Sequence, residues 1–296
     1  MDDTKYYESV DDMPPNWWRD ESRCKTLRDS FEKHIVGLHV AFKQNGIIKN
    51  EIFTGCILLH NDYCFWITAA HVIETIKKLA KDQSIEIVRS VWLDHAPESL
   101  GGPLPVDIGD LSTVCIDPKG FDFGFVLLSP GYAVPLLSTR TLEPLDSTIW
   151  LNHESATPEG FLLVGYPGEW IENEPNKNDN ASGTMTIKFG IACLPAERIE
   201  DRGEQTNNFL SSFWGREDCF YGQLVPYSNG RSDVVNNIGG MSGGPLLSVE
   251  RHNNQIRYRL YGIQSCWFKD TRIIRAAHIE PISFVLDEFT KALKSA

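Results

Sequence analysis

From His34 onward, short β-prone runs follow one another with turns rich in Gly, Pro and Asn between them, and this pattern constrains the fold more than any other feature of the chain. The runs are Ile35 to Phe42, Glu51 to Leu59, Tyr63 to Thr68, Ile85 to Leu93, Phe123 to Leu128, Phe161 to Tyr166, Met185 to Cys193, Pro245 to Val249 and Tyr258 to Ser265. Short strands at close spacing, without a helix after each, favour a sandwich or barrel over alternating β and α units. A length of 296 residues accommodates one large β unit or two half-size barrels that share a cleft. Only Val72 to Lys81 and Ile282 to Lys294 carry a helical period, the second with Phe284, Val285, Phe289 and Leu293 on one face. Residues 1–30 are polar, hold Pro14-Pro15 and Trp17-Trp18, and are expected to lie across the body as an extension. Residues 172–183 and about 197–208 have almost nothing to bury and read as exposed loops.

Charge and cysteine usage remove several function classes. Twenty-eight basic against forty acidic residues give a net charge of -12, and no basic run is long enough to track a phosphate backbone, so nucleic acid is not an expected partner. No stretch approaches the eighteen consecutive apolar residues of a membrane span, and the start lacks the apolar core of a secretory signal. The seven cysteines, Cys24, Cys56, Cys64, Cys115, Cys193, Cys219 and Cys266, show no Cys-x-x-Cys pair, and an odd number cannot all pair within one chain. They read as reduced thiols of a cytoplasmic protein, with no metal or organic cofactor expected.

Three segments carry chemistry. Residues 239–245 read Gly-Gly-Met-Ser-Gly-Gly-Pro ahead of an apolar strand. A serine hydroxyl is a weak nucleophile and needs presentation on a tight turn whose backbone N–H groups can take the negative oxygen of a tetrahedral intermediate. Ser242 is therefore the candidate nucleophile. Residues 65–73 read Phe-Trp-Ile-Thr-Ala-Ala-His-Val-Ile, an apolar strand that ends in small residues and delivers His71 at the start of a helix, where packing can hold an imidazole as general base. Asp122 stands between two phenylalanines at the entry to the strand Phe123 to Leu128, and a carboxylate in apolar surroundings needs a partner. It is the candidate for accepting the second N–H of the base, ahead of Asp94 and Asp117.

Taken in order, Thr68-Ala69-Ala70-His71, Asp122-Phe123-Gly124-Phe125-Val126-Leu127-Leu128 and Gly240-Met241-Ser242-Gly243-Gly244-Pro245 resemble the trypsin/chymotrypsin superfamily, and its intracellular bacterial-type members more than its secreted ones. Leu260 to Trp267 looks like that family's substrate-pairing strand, and Gly165-Tyr166-Pro167-Gly168 like a turn of its second barrel. The resemblance implies an all-β fold of two six-stranded antiparallel β-barrels with a C-terminal helix: an extension at 1–30, a first barrel at 31–148 with His71 and Asp122, a second at 149–281 with Ser242, and the helix at 282–296. It also implies an oxyanion hole from the N–H groups of Gly240 and Ser242, a pocket floor at Asn236, and a pocket wall from Ser265, Cys266 and Trp267. Val72 follows the histidine where secreted relatives carry a disulfide cysteine, and Met241 precedes the serine where they carry an activating aspartate. The expected activity is a serine endopeptidase acting on a protein or peptide substrate, with regulation by a protein partner through the Gly239–Gly240 peptide. The rival is a catalytically silent binding or scaffolding module on the same fold.

Overall fold

The computed structural model describes residues 13–93, 103–116, 120–138, 142–146, 157–170, 172–175, 185–188, 190–199, 219–228 and 235–295. The chain enters through Trp17 and Trp18 and a helix α1 (Glu21–Phe31). Strands β1 (Ile35–Gln44), β2 (Ile47–His60) and β3 (Tyr63–Thr68) then form two hairpins. Each hairpin turns on two residues at positive φ, Asn45-Gly46 and Asn61-Asp62, a backbone twist that matches that of the flanking strands. Helix α2 (Ala70–Lys81), β4 (Ile85–Leu93), β5 (Leu104–Pro105), β6 (Ser112–Ile116), β7 (Phe123–Leu127) and α3 (Pro130–Ser138) complete the first half. The second half comprises β8 (Gly160–Gly165), a two-stranded ribbon of β9 (Glu172–Pro175) and β10 (Met185–Lys188), then β11 (Ala192–Arg198), β12 (Cys219–Leu224), β13 (Pro245–His252), β14 (Gln255–Phe268), β15 (Ile273–His278) and a final helix α4 (Ile279–Ser295).

The second half contains a closed six-stranded barrel in the order β11-β12-β15-β14-β13-β8. The first half corrects the expectation of two such barrels. Its strands form an open seven-stranded sheet in the order β5-β4-β1-β2-β3-β7-β6. Closure would need β6 to pair with β5, which is two residues long and includes Pro105, a residue with no N–H to offer a ladder. The expected run Met185 to Cys193 also divides, its first part pairing with β9 and its last two residues opening β11. The loop expected at 172–183 begins as β9, the polar insertion from 197 begins inside β11, and the C-terminal helix starts at Ile279. The rival aspartates Asp94 and Asp117 lie outside the described residues. Among those described, no helix is long and apolar enough to cross a membrane.

Residues 13–31 are a docked element. In α1, Cys24, Leu27 and Phe31 are buried at helical spacing, and the Asp20 side chain caps the helix by accepting from the Arg23 N–H at 3.1 Å. Trp17 donates its indole N–H to Glu159 Oε2 at 2.8 Å, and Arg251 bridges Glu159 to the Met13 carbonyl. Burial pushes the Glu159 carboxyl up, but the hydrogen bonds from Arg251 and Trp17 outweigh it and hold the group below its ordinary 4.5. A folded value below the unfolded one stabilises the fold above pH 4.5 and loses that contribution as pH falls through the depressed value. Glu159→Gln should therefore flatten the acid side of a plot of Tm against pH, most visibly below about pH 4.5.

Candidate active site

Strand β3 ends at Thr68, and Ala69 and Ala70, both fully buried, carry the chain into α2 with His71 in its first turn. The start of α2 has no cap of its own. Asp122 supplies one from across the sheet: its Oδ1 accepts the His71 backbone N–H at 3.0 Å, and its Oδ2 faces the His71 ring Nδ1 at 2.8 Å. One carboxylate thus caps the helix and orients the imidazole. Asp122 is itself held by the turn ahead of β7 at φ 57°, a left-handed conformation that aspartate tolerates. The Asp122 side chain is 4% exposed and that of His71 41%, so the pair is dry on one side and open to solvent on the other. An ionised carboxylate only accepts, so in this pairing Nδ1 is the ring nitrogen that donates.

The nucleophile turn belongs to the segment before β13, and hydrogen bonds to three other segments fix it. Gly243 N–H donates to the Gln264 carbonyl at 2.8 Å, and Gln264 N–H returns to Gly244 at 2.9 Å. Thr54, fully buried on β2, donates its hydroxyl to the Gly240 carbonyl at 2.7 Å and accepts from Tyr166 N–H at 3.0 Å. Gly168 N–H donates to the Gly239 carbonyl at 2.5 Å. Because amide O and H point to opposite sides of a trans peptide, this bond turns the Gly240 N–H away from Gly168. Gly243 has φ 91°, and a Cβ there would collide with the Thr68 hydroxyl and the Thr54 carbonyl, so no other residue fits.

Backbone donors through this turn are unevenly satisfied. Gly239, Met241, Gly243 and Gly244 all donate to protein acceptors. Among the described residues, Gly240 and Ser242 alone in this run have N–H groups with no protein acceptor. These two N–H groups flank Met241 and have no acceptor among the described residues.

A cleft of about 400 Å³ brings His71, Ser242 and Gly240 together, with Glu51, Phe53 and Gly168 in its walls. The residues expected at a substrate pocket are not among those that line this cleft. Ser265 is 3% exposed and its hydroxyl accepts from Arg275 Nε at 3.0 Å. Cys266 and Trp267 are half-buried beyond it, and the Asn236 backbone N–H is held by Glu169 Oε1 at 2.7 Å. Sequence reasoning missed Thr54, Glu169 and Arg275. Thr54 and Arg275 each stand as a polar interruption in a strand of apolar residues, the one signal available beforehand. Gln264 was missed as well, and its fully buried carboxamide has no hydrogen-bond partner among the described residues. No group of three or more His, Cys, Asp or Glu among the described residues could hold a metal ion.

No protein-family model matches this sequence, and no curated protein matches it. Its neighbours among solved structures are proteases, among them serine proteases of the trypsin/chymotrypsin fold and the tobacco etch virus protease. One is the Rv3671c protease of M. tuberculosis in its active form, with 14% identity and a TM-score of 0.42 over 88% of this chain and 82% of that one. Catalytically inactive tobacco etch virus protease complexed with substrate has 12% identity and a TM-score of 0.39 over 84% of this chain and 80% of that one. The protease Anisep from Arthrobacter nicotinovorans has 12% identity and a TM-score of 0.38 over 83% and 90%.

Proposed function

We propose that this chain is a serine endopeptidase that hydrolyses peptide bonds through an acyl-enzyme on Ser242. The observation that carries the reading is the shared cleft of His71, Ser242 and Gly240, with Asp122 clamping both N–H groups of His71 from behind. In the first step, His71 Nε2 takes the Ser242 hydroxyl proton as Oγ bonds to the scissile carbonyl carbon, and the Gly240 and Ser242 N–H groups receive the oxyanion. Collapse breaks the C–N bond, and the imidazolium gives its proton to the leaving amine. Water then repeats the sequence on the ester, with His71 as base, to release the acid and restore the hydroxyl.

The Gly168–Gly239 bond supports a turn already set for this chemistry, and a regulatory partner acting on the Gly239–Gly240 peptide would have to break it. Cys24, Cys56, Cys64, Cys115, Cys193 and Cys266 are free thiols, which supports the reducing, cytoplasmic setting. Burial raises the Cys56 and Cys64 thiols to about 12, so these two are poor rivals to Ser242 as nucleophiles.

A fluorophosphonate probe tests the reading directly. It should attach to Ser242, located by peptide mass spectrometry, and Ser242→Ala should take up none. A folded wild-type chain that takes up no label between about pH 6 and 9 leaves the silent binding module as the better account.

A further inference from the structure

The mechanism above makes no use of one buried charge. Arg275, on β15, is 4% exposed as a residue, and its backbone pairs with Cys266 and Tyr221 on the neighbouring strands. Its side chain runs inward: Nε donates to Ser265 Oγ at 3.0 Å, and a terminal nitrogen lies 3.7 Å from Asp122 Oδ2. That oxygen is the one facing His71 Nδ1. One carboxylate oxygen is therefore shared between an imidazole on one side and a guanidinium on the other. The side chains of Arg275 and Asp122 are 5% and 4% exposed, so solvent screens neither.

A guanidinium keeps its charge at every accessible pH, and a carboxylate paired with it in a dry site has its negative charge already balanced. When His71 takes the Ser242 proton, the imidazolium meets a partly neutralised partner, and the nearby cation disfavours it further. We propose that Arg275 is a positioning residue that acts through Asp122 to hold down the proton affinity of His71, keeping the base neutral and active at lower pH. The inference rests on the proposed roles of His71, Asp122 and Ser242. The Ser265 hydroxyl accepts from the guanidinium and helps to fix it in place.

Other ionisable groups surround the pair. Glu74 and Lys77 stand on α2, Cys115 on β6, Cys266 on β14, and Glu51 on β2 at the cleft. Burial raises the Cys266 thiol while the Arg275 charge pulls it down, as expected for a cation reaching this part of the interior. None of these groups is itself substituted in an Arg275 variant, and the NMR readout follows the His71 ring directly.

The test compares wild type with Arg275→Gln, which keeps a donor for Ser265 and loses the charge, and with Arg275→Lys, which keeps the charge. Two readouts are followed against pH: the rate of fluorophosphonate labelling at Ser242, and the NMR titration of the His71 ring. Arg275→Gln should move the midpoint of both upward by about one pH unit, while Arg275→Lys stays close to wild type. If the glutamine variant does not fold, Arg275→Met supplies the neutral arm. A His71 titration that superimposes for wild type and a folded neutral variant overturns the inference, whatever happens to the rate. A wild type that never labels overturns the peptidase reading instead, and the NMR midpoint still decides the role of Arg275.

Discussion

Ser242→Ala should lower peptide turnover by about 10⁴- to 10⁶-fold while leaving the fold intact, because members of a nucleophile–base–orienter unit fail together. The structural half of this expectation follows from what the side chain does not do. The hydroxyl has no hydrogen-bond partner among the described residues, and the turn is fixed by its neighbours, through Met241 N–H to Ile238 and Gly244 N–H to Met241. Removing it leaves no buried group orphaned, so the stability change should stay within about 0.5 kcal/mol. The residual rate over water should come from the Gly240 and Ser242 N–H groups, which the substitution leaves in place. Steady-state kinetics on a quenched peptide together with a urea melt checks both halves. A variant that keeps more than about a tenth of wild-type turnover removes Ser242 from the mechanism.

The site was easier to read than the fold around it, and the reason is physical. His71 and Ser242 sit in short segments whose local composition already suits their chemistry, with small residues that let a strand deliver an imidazole and glycines that let a turn present a hydroxyl. Asp122 was legible because an aspartate between Phe121 and Phe123 demands a partner. Closure of the first sheet was not legible, since it depends on whether two distant edges meet. Those edges are the two residues of β5 and the short β6, segments too brief or mixed to announce themselves. Helix α1 was hidden for a different reason: Cys24, Leu27 and Phe31 form a narrow stripe in a polar background, and only docking against the barrel makes it stable. Arg275 looked like an ordinary strand cation in Ile-Ile-Arg-Ala-Ala-His. Its inward direction follows from the face of β15 that meets Ser265 and Asp122 once the chain is folded, which no local pattern encodes.

Asp122→Asn should reduce turnover by about 10⁴-fold at neutral pH, and the double contact of this residue dictates why. The His71 backbone N–H needs an acceptor, and the substituted side chain has one oxygen to give it. With that oxygen on the backbone, the amide NH₂ is turned to the ring, where it can only donate. Nδ1 must then accept, the ring proton moves to Nε2, and the atom that should take the Ser242 proton is no longer a base. A second cost falls on the fold. Arg275 remains buried beside a neutral amide, and breaking a buried pair by removing one charge costs about 3–5 kcal/mol. The two effects separate in the double variant Asp122→Asn with Arg275→Gln. Removing the guanidinium's charge should recover much of the lost stability in a urea melt, while turnover stays at the single-variant level because the wrong tautomer persists. Stability that is not recovered would mean that Arg275 and Asp122 are not energetically coupled; turnover that is recovered would mean that the charge of Asp122, and not its orientation of His71, is what the reaction uses.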